Sequence, residues 1–132
     1  MKHHHAHLPN YGVLEVELEQ EEQDHLWKLV HKYSHNAKWE GNRLISIEED
    51  FKQFPLNDDD NLFQNNVLRP CTDKYFETYG CPFKQKTTHT HELAFSRFWC
   101  RASLDGDYQS IHDHQGIFTF VVWLTVPFEG AD

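Results

Sequence analysis

The sequence predicts an α+β fold, and three observations predict it. Residues 11–20, YGVLEVELEQ, alternate apolar and acidic side chains with a period of two. Residues 20–36, QEEQDHLWKLVHKYSHN, change to a helical period. From residue 92 onward the period of two returns and is kept. Strand first, helices next and strands last points to helices covering one face of a largely antiparallel sheet.

Each element has its own grounds. In the first strand Leu14, Val16 and Leu18 face one way and Glu15, Glu17 and Glu19 the other, the pattern of a half-buried strand. In the first helix Leu26, Leu29, Val30 and Tyr33 share a stripe. Its acids come early and its His and Lys late, as the helix dipole favours. A short strand is expected around Leu44 to Ile47, followed by an irregular stretch ended by Pro55. NDDDNLFQNNVLRPCTDKYFETYG predicts a second helix, capped by Asp58, Asp59 or Asp60 and stopped by Gly80. Phe63, Val67, Cys71 and Tyr75 mark its buried stripe, and Pro70 should kink or divide it. GCPFKQKTTHTH predicts a loop. ELAFSRFWCRA, DYQSIHDH and IFTFVVWLTV then predict three strands, with a hairpin turn at LDG, 104–106. The third is apolar on both faces and is expected in the centre of a sheet.

At 132 residues the chain has the length of one domain. Residues 1–10 are set apart as a His-rich leader or tag remnant, and 11–132 form the single domain. Ten Phe, five Tyr and four Trp supply bulky core material. The formal net charge of -9, without a Lys/Arg stripe, argues against nucleic acid as a partner. No apolar stretch is long enough to span a membrane. Three widely spaced cysteines imply no disulfide framework, and the start lacks the apolar core of a signal peptide. A cytoplasmic, non-secreted protein is expected.

The chemistry-bearing residues are mostly histidines and acids. His31 and His35 have the i,i+4 spacing of a helical chelate but lack the HExxH glutamate, so they read as surface residues. Asp58 to Asp60 read as a helix start, because the spaced ligands of a calcium loop are missing. His89, His91 and Glu92 precede a strand and read as a polar loop. Cys100 sits among apolar neighbours and reads as a buried small hydrophobe. The pointed feature is IHDH at 111–114. On a strand His112 and His114 face the same side, so their imidazoles can converge on one ion. Asp113 faces away unless the strand bends, and then it is an alternative ligand. Tyr108 extends the histidine face, where it would line a pocket.

FWCRASLDGDYQSIHDHQGIFTFVVWLTVP, residues 98–127, resembles the 2-oxoglutarate- and iron(II)-dependent oxygenases of tailed phages, particularly those of marine cyanobacteria. That family's pattern is W-x-N, a polar turn with Gly, an aromatic, H-x-H-x-G, and an apolar stretch ending in Pro. It is matched by Trp99, Tyr108, His112, His114, Gly116, Phe120 to Leu124 and Pro127. Residues 61–80 also look like the family's helix before the barrel. The resemblance implies a double-stranded β-helix (jelly-roll or cupin-like), here partial, with an N-terminal strand and covering helices. It implies Fe(II) held by a facial triad, 2-oxoglutarate as cosubstrate, and a dioxygenase that hydroxylates a small molecule or a protein side chain. By carry-over His112 is the first metal ligand, and Tyr108 lines the cosubstrate pocket.

The chain departs from this pattern at three points. His114 stands where many relatives in the wider superfamily carry Asp. Arg101 replaces the Asn of W-x-N. No histidine follows His114, so the distal ligand and the basic anchor for 2-oxoglutarate have no counterpart, as in a C-terminally truncated oxygenase. Gly106 followed by His112 and His114 also resembles the first cupin motif, without its Glu. Two further readings therefore stand beside the oxygenase: a cupin-like metal-binding protein, and a non-catalytic phage structural or binding component. In either, an unpaired edge strand near Pro127 would invite homo-oligomerisation.

Overall fold

The computed structural model describes residues 2–7, 12–79, 97–104 and 119–125. They form two compact units, Met1–Leu26 with Asp58–Phe95 and Trp27–Asn57 with Ser96–Asp132. The mixture of helix and antiparallel strand agrees with the sequence. The strands, however, lie in three two-stranded sheets among the described residues, with no closed barrel.

In the first unit, β1 (Lys2–His7) pairs with β2 (Gly12–Glu17), Lys2 opposite Glu17 and His7 opposite Gly12. The His-rich stretch that the sequence sets apart is thus part of a ladder. Strand β2 keeps its expected alternation, with Leu14 and Val16 half-buried and Glu15 and Glu17 exposed. Helix α2 (Arg69–Tyr79) lies against β2. Tyr75 donates its hydroxyl to the Gly12 carbonyl at 3.1 Å, and the Tyr75 and Tyr79 rings meet at 4.7 Å. Gly12 is favoured by close approach, since a Cβ there would overlap the hydroxyl end of the Tyr79 side chain.

Helix α1 (Gln20–Tyr33) starts on a half capping box, in which the Glu19 amide donates to Glu22 Oε1 at 2.9 Å. Glu21 and Glu22 lie in its first turn and His31 and Lys32 in its last. Leu26, Leu29 and Val30 are buried and Tyr33 half-buried, the stripe that the sequence predicts. The division between the units falls within this helix, after Leu26.

The second unit holds a core of Val30, Ile47, Phe54 and Ala102, against which Trp27, Trp39, Leu44, Cys100 and Leu124 pack. Strands β3 (Ala37–Glu40) and β4 (Arg43–Ile47) form a hairpin closed at Gly41 and Asn42. Gly41 has φ of 61°, a value that favours glycine at the first central position of such a turn. Trp39 donates Nε1–H to Ser34 Oγ at 3.1 Å, and its ring meets Trp27 edge-on at 6.0 Å. Strand β5 (Gln53–Pro55) pairs with β6 (Trp99–Arg101), Phe54 opposite Cys100. The Ala102 amide bonds to the Lys52 carbonyl at 2.7 Å and the Leu56 amide to the Phe98 carbonyl at 2.9 Å, so the pairing extends past both strand ends. The buried Lys52 reaches Glu49 with its ammonium at 2.7 Å, which keeps the charge paired.

Two sequence expectations are corrected. Within the stretch expected to be irregular, Gln53–Pro55 is a strand after a 3-10 turn (Glu49–Phe51), and its partner lies across a long sequence interval that local pattern does not reveal. Residues 119–125 belong to no strand, and Val121 and Trp123 are 68% and 78% exposed. An apolar run shows that burial is available to both faces, not that both are covered. The expected break in the second helix takes a different form. A 3-10 turn (Asp59–Asn61) and a π-helical turn (Gln64–Leu68) precede α2, the π turn runs into α2 through helical backbone at Arg69, and Pro70 thus follows a local widening of a continuous helix.

Two substitutions test this packing. Phe54→Ala should destabilise the protein by about 3–5 kcal/mol, the usual cost of emptying an aromatic core position. Gly12→Ala should cost about 1–3 kcal/mol by overpacking against Tyr79. Thermal or urea unfolding reads both.

Candidate functional site

The sequence places its candidate site between β6 and residues 119–125. Tyr108, His112, Asp113, His114 and Gly116 lie outside the described residues, as do His89, His91, Glu92 and the 104–106 turn beyond Leu104. What the structure gives is the frame on either side. Trp99 opens β6 opposite Pro55 and is 37% exposed. Arg101, which stands at the family's Asn position, is half-buried opposite Gln53. After β6, Ala102 is buried and Leu104 packs against the core. On the far side Leu124 packs against that same core. The Phe98 and Phe120 rings meet with centroids 6.0 Å apart. Residues 97–104 and 119–125, which lie on either side of IHDH in sequence, therefore meet in the second unit.

Cys100 packs against the core as the sequence reading expects. Burial pushes its thiol up to about 11, so it stays protonated at neutral pH and is poorly suited as nucleophile or ligand.

The helix histidines have structural partners. His31 Nε2 lies 2.8 Å from Asn42 Oδ1, and its ring stacks on Trp27 at 5.8 Å and meets Trp39 edge-on at 4.8 Å. These contacts fasten the end of α1 to the β3–β4 hairpin and take His31 away from any chelate with the exposed His35.

A second constellation, which the sequence does not reveal, sits in the first unit. His25 Nε2 lies 3.2 Å from Asp58 Oδ1, and the Asp58 side chain is only 3% exposed. The same Oδ1 accepts the Phe63 amide at 2.9 Å, and Oδ2 accepts the Gln64 amide at 2.8 Å. Asp60 and Asn61 have φ of 56° and 55°, a left-handed pair that turns the chain so that Asp58 reaches the helix start. Asp58 thus does the work of a cap from five and six residues upstream, and its charge suits the positive end of the helix. His25 lines a shallow groove of about 380 Å³ with Glu19, Glu22, Phe63, Asn66 and Val67. Asp58 caps the helix and Glu22 closes the capping box. Asp58 was legible as a cap, but nothing in the sequence links it to His25, 33 positions away.

Among the described residues no group of three His, Cys, Asp or Glu side chains is placed to hold a metal ion. No helix among them is long and apolar enough to cross a membrane. Comparison with protein-family models, curated proteins and solved structures finds no match for this chain.

The role of Asp58 is measurable by mutation. Asp58→Ala removes the acceptor of two helix-start amides and of His25, and should destabilise the protein by about 2–3 kcal/mol. Asp58→Asn keeps one acceptor and should cost about 1 kcal/mol. A double-mutant cycle with His25→Ala, read by urea unfolding, should show non-additivity that isolates the His25–Asp58 contact.

Proposed function

We propose that this chain is a metal-binding domain of the 2-oxoglutarate/iron(II)-dependent oxygenase type, with His112 and His114 as metal ligands on a partial double-stranded β-helix. The observation that carries the reading is the residue pattern from Trp99 to Pro127, in which the aromatic, His-x-His-x-Gly and apolar-to-Pro parts occur in order. The ring contact between Phe98 and Phe120 supports it, because it anchors both ends of the segment that bears the histidines.

Two imidazoles two residues apart suit a divalent first-row metal such as Fe(II). A facial triad needs a third donor, and the described residues bring no such group together. The fit is therefore one of donor kind and not of donor number. Metal binding is the primary proposal, with Asp113 as the third donor nearest in sequence. Iron with 2-oxoglutarate, when bound, supplies oxidising power toward a C–H bond. Within this reading Tyr108 lines the cosubstrate pocket, the substrate is a small molecule or a protein side chain, and the protein works in the cytoplasm, the host's if it is phage-encoded.

A second reading is a non-catalytic phage binding or structural component. It is favoured by the exposed Val121 and Trp123, a surface that suits association better than enclosure of a reaction.

Titration with Co(II) tests the first reading. A protein with His3, His4, His5 and His7 replaced by Ser serves as the background, so that the N-terminal histidines cannot contribute. One site should be seen, weakened by about tenfold or more on replacing His112 or His114 with Ala. Equal binding with and without the two histidines overturns the metal proposal. Succinate formed from 2-oxoglutarate with Fe(II) would support the oxygenase; metal binding without succinate would support the non-catalytic reading.

A further inference from the structure

The groove of the first unit joins apolar and acidic side chains. Its volume is about 380 Å³, within the range of small-molecule sites, and every residue lining it belongs to that unit. The buried Phe63 and Val67 line it, and so does Leu62, which is 43% exposed. Glu19, Glu21 and Glu22 line it from the start of α1. The helix dipole favours acids at that end. It gives no reason for an exposed leucine in the same groove.

The walls are held in place. His25 is fixed from behind by the buried Asp58, at 3.2 Å, and Asp58 is itself fixed by the Phe63 and Gln64 amides. Asn66 and Val67 come from the π-helical turn, a rare geometry that in proteins collects at functional sites. Asn66 brings an exposed amide with both donor and acceptor groups. Charge selects the occupant. Three carboxylates line the groove, no Lys or Arg does, and His25 already faces Asp58. An anion is repelled there, and a neutral apolar molecule would cover the acids without pairing them. A cation with a hydrocarbon body meets both demands. Glu22 gives Oε1 to the Glu19 amide, but a carboxylate accepts several hydrogen bonds, so the cap leaves acceptor positions on it. A bare metal ion fits less well, since no three ligating side chains among the described residues are placed to hold one.

We propose that this groove binds a small alkylammonium compound, whose carbon body lies on Leu62, Phe63 and Val67 and whose ammonium group meets Glu21 and Glu22. Burial of the hydrocarbon supplies affinity, and the carboxylates select the charge. The inference uses no residue of the second unit, so it stands apart from the metal reading.

Titration of the full chain with hexylammonium chloride at neutral pH, followed by amide NMR, tests it. Saturable shifts are expected at Glu22, His25, Asn66 and Val67. Hexanol and ammonium chloride, which carry the body and the charge separately, should each bind about tenfold or more weaker. Glu21→Gln and Leu62→Ser, both at exposed positions, should each weaken hexylammonium binding about threefold while far-UV circular dichroism stays unchanged. Glu40→Gln, at an exposed acid of the second unit, should leave it unchanged. If either groove variant loses its fold, the other and the three-compound comparison carry the test. Absence of saturable binding overturns the proposal. So do shifts spread evenly over the chain's acids, equal affinity for hexanol, or an affinity that neither folded groove variant lowers.

Discussion

The pairing of β5 with β6 is the contact on which the second unit depends. It joins Gln53–Pro55 to Trp99–Arg101 across a long stretch of chain, and closing so large a loop has an entropic cost. Burial of Phe54 and Ala102 beside Val30 and Ile47 offsets that cost. The ladder bonds from Ala102 to Lys52 and from Leu56 to Phe98 fix the register. One slip of register would turn Phe54 away from the core. Phe98, just before β6, then meets Phe120 on the return. Core packing in the second unit and the meeting of Phe98 with Phe120 therefore rest on one three-residue ladder.

The first unit shows how misleading an inventory of polar residues can be. It contains an Asp–His pair beside a groove, an arrangement that in isolation suggests acid–base chemistry. The carboxylate, however, is nearly inaccessible and already accepts two backbone amides. A buried charge persists only where hydrogen bonds and an opposite dipole compensate it, and here the helix start provides both. His25 adds a contact from α1 to the same carboxylate. The left-handed Asp60 and Asn61 are what this geometry requires of the backbone.

Much of the local structure was legible in the sequence. The alternation of Leu14 and Val16 with Glu15 and Glu17 gave β2, and the stripe Leu26, Leu29, Val30 and Tyr33 gave α1, because both periods depend on neighbours in sequence. The β3–β4 hairpin was missed although Gly41-Asn42 is a hairpin signal between two short strands. The β5 strand could not be read locally, because its partner is remote. The His25–Asp58 contact is of the same non-local kind. The apolar run at 117–126 misled in another way: composition shows which residues favour burial, and the exposure of Val121 and Trp123 shows which face the rest of the chain leaves uncovered. Of the candidate site, Trp99 and the anchors on either side are described, while the histidines rest on pattern and on the chemistry of imidazole.

The central claim is that the His112–His114 pair, and not any other histidine, holds a metal. Eleven histidines make bulk affinity an indirect witness. The direct one is NMR of the imidazole side chains during addition of substoichiometric Co(II). Paramagnetic shifts or broadening are expected at His112 and His114, with His25 and His31 unaffected beside Asp58 and Asn42. Broadening confined to His3, His4, His5 and His7 would contradict it.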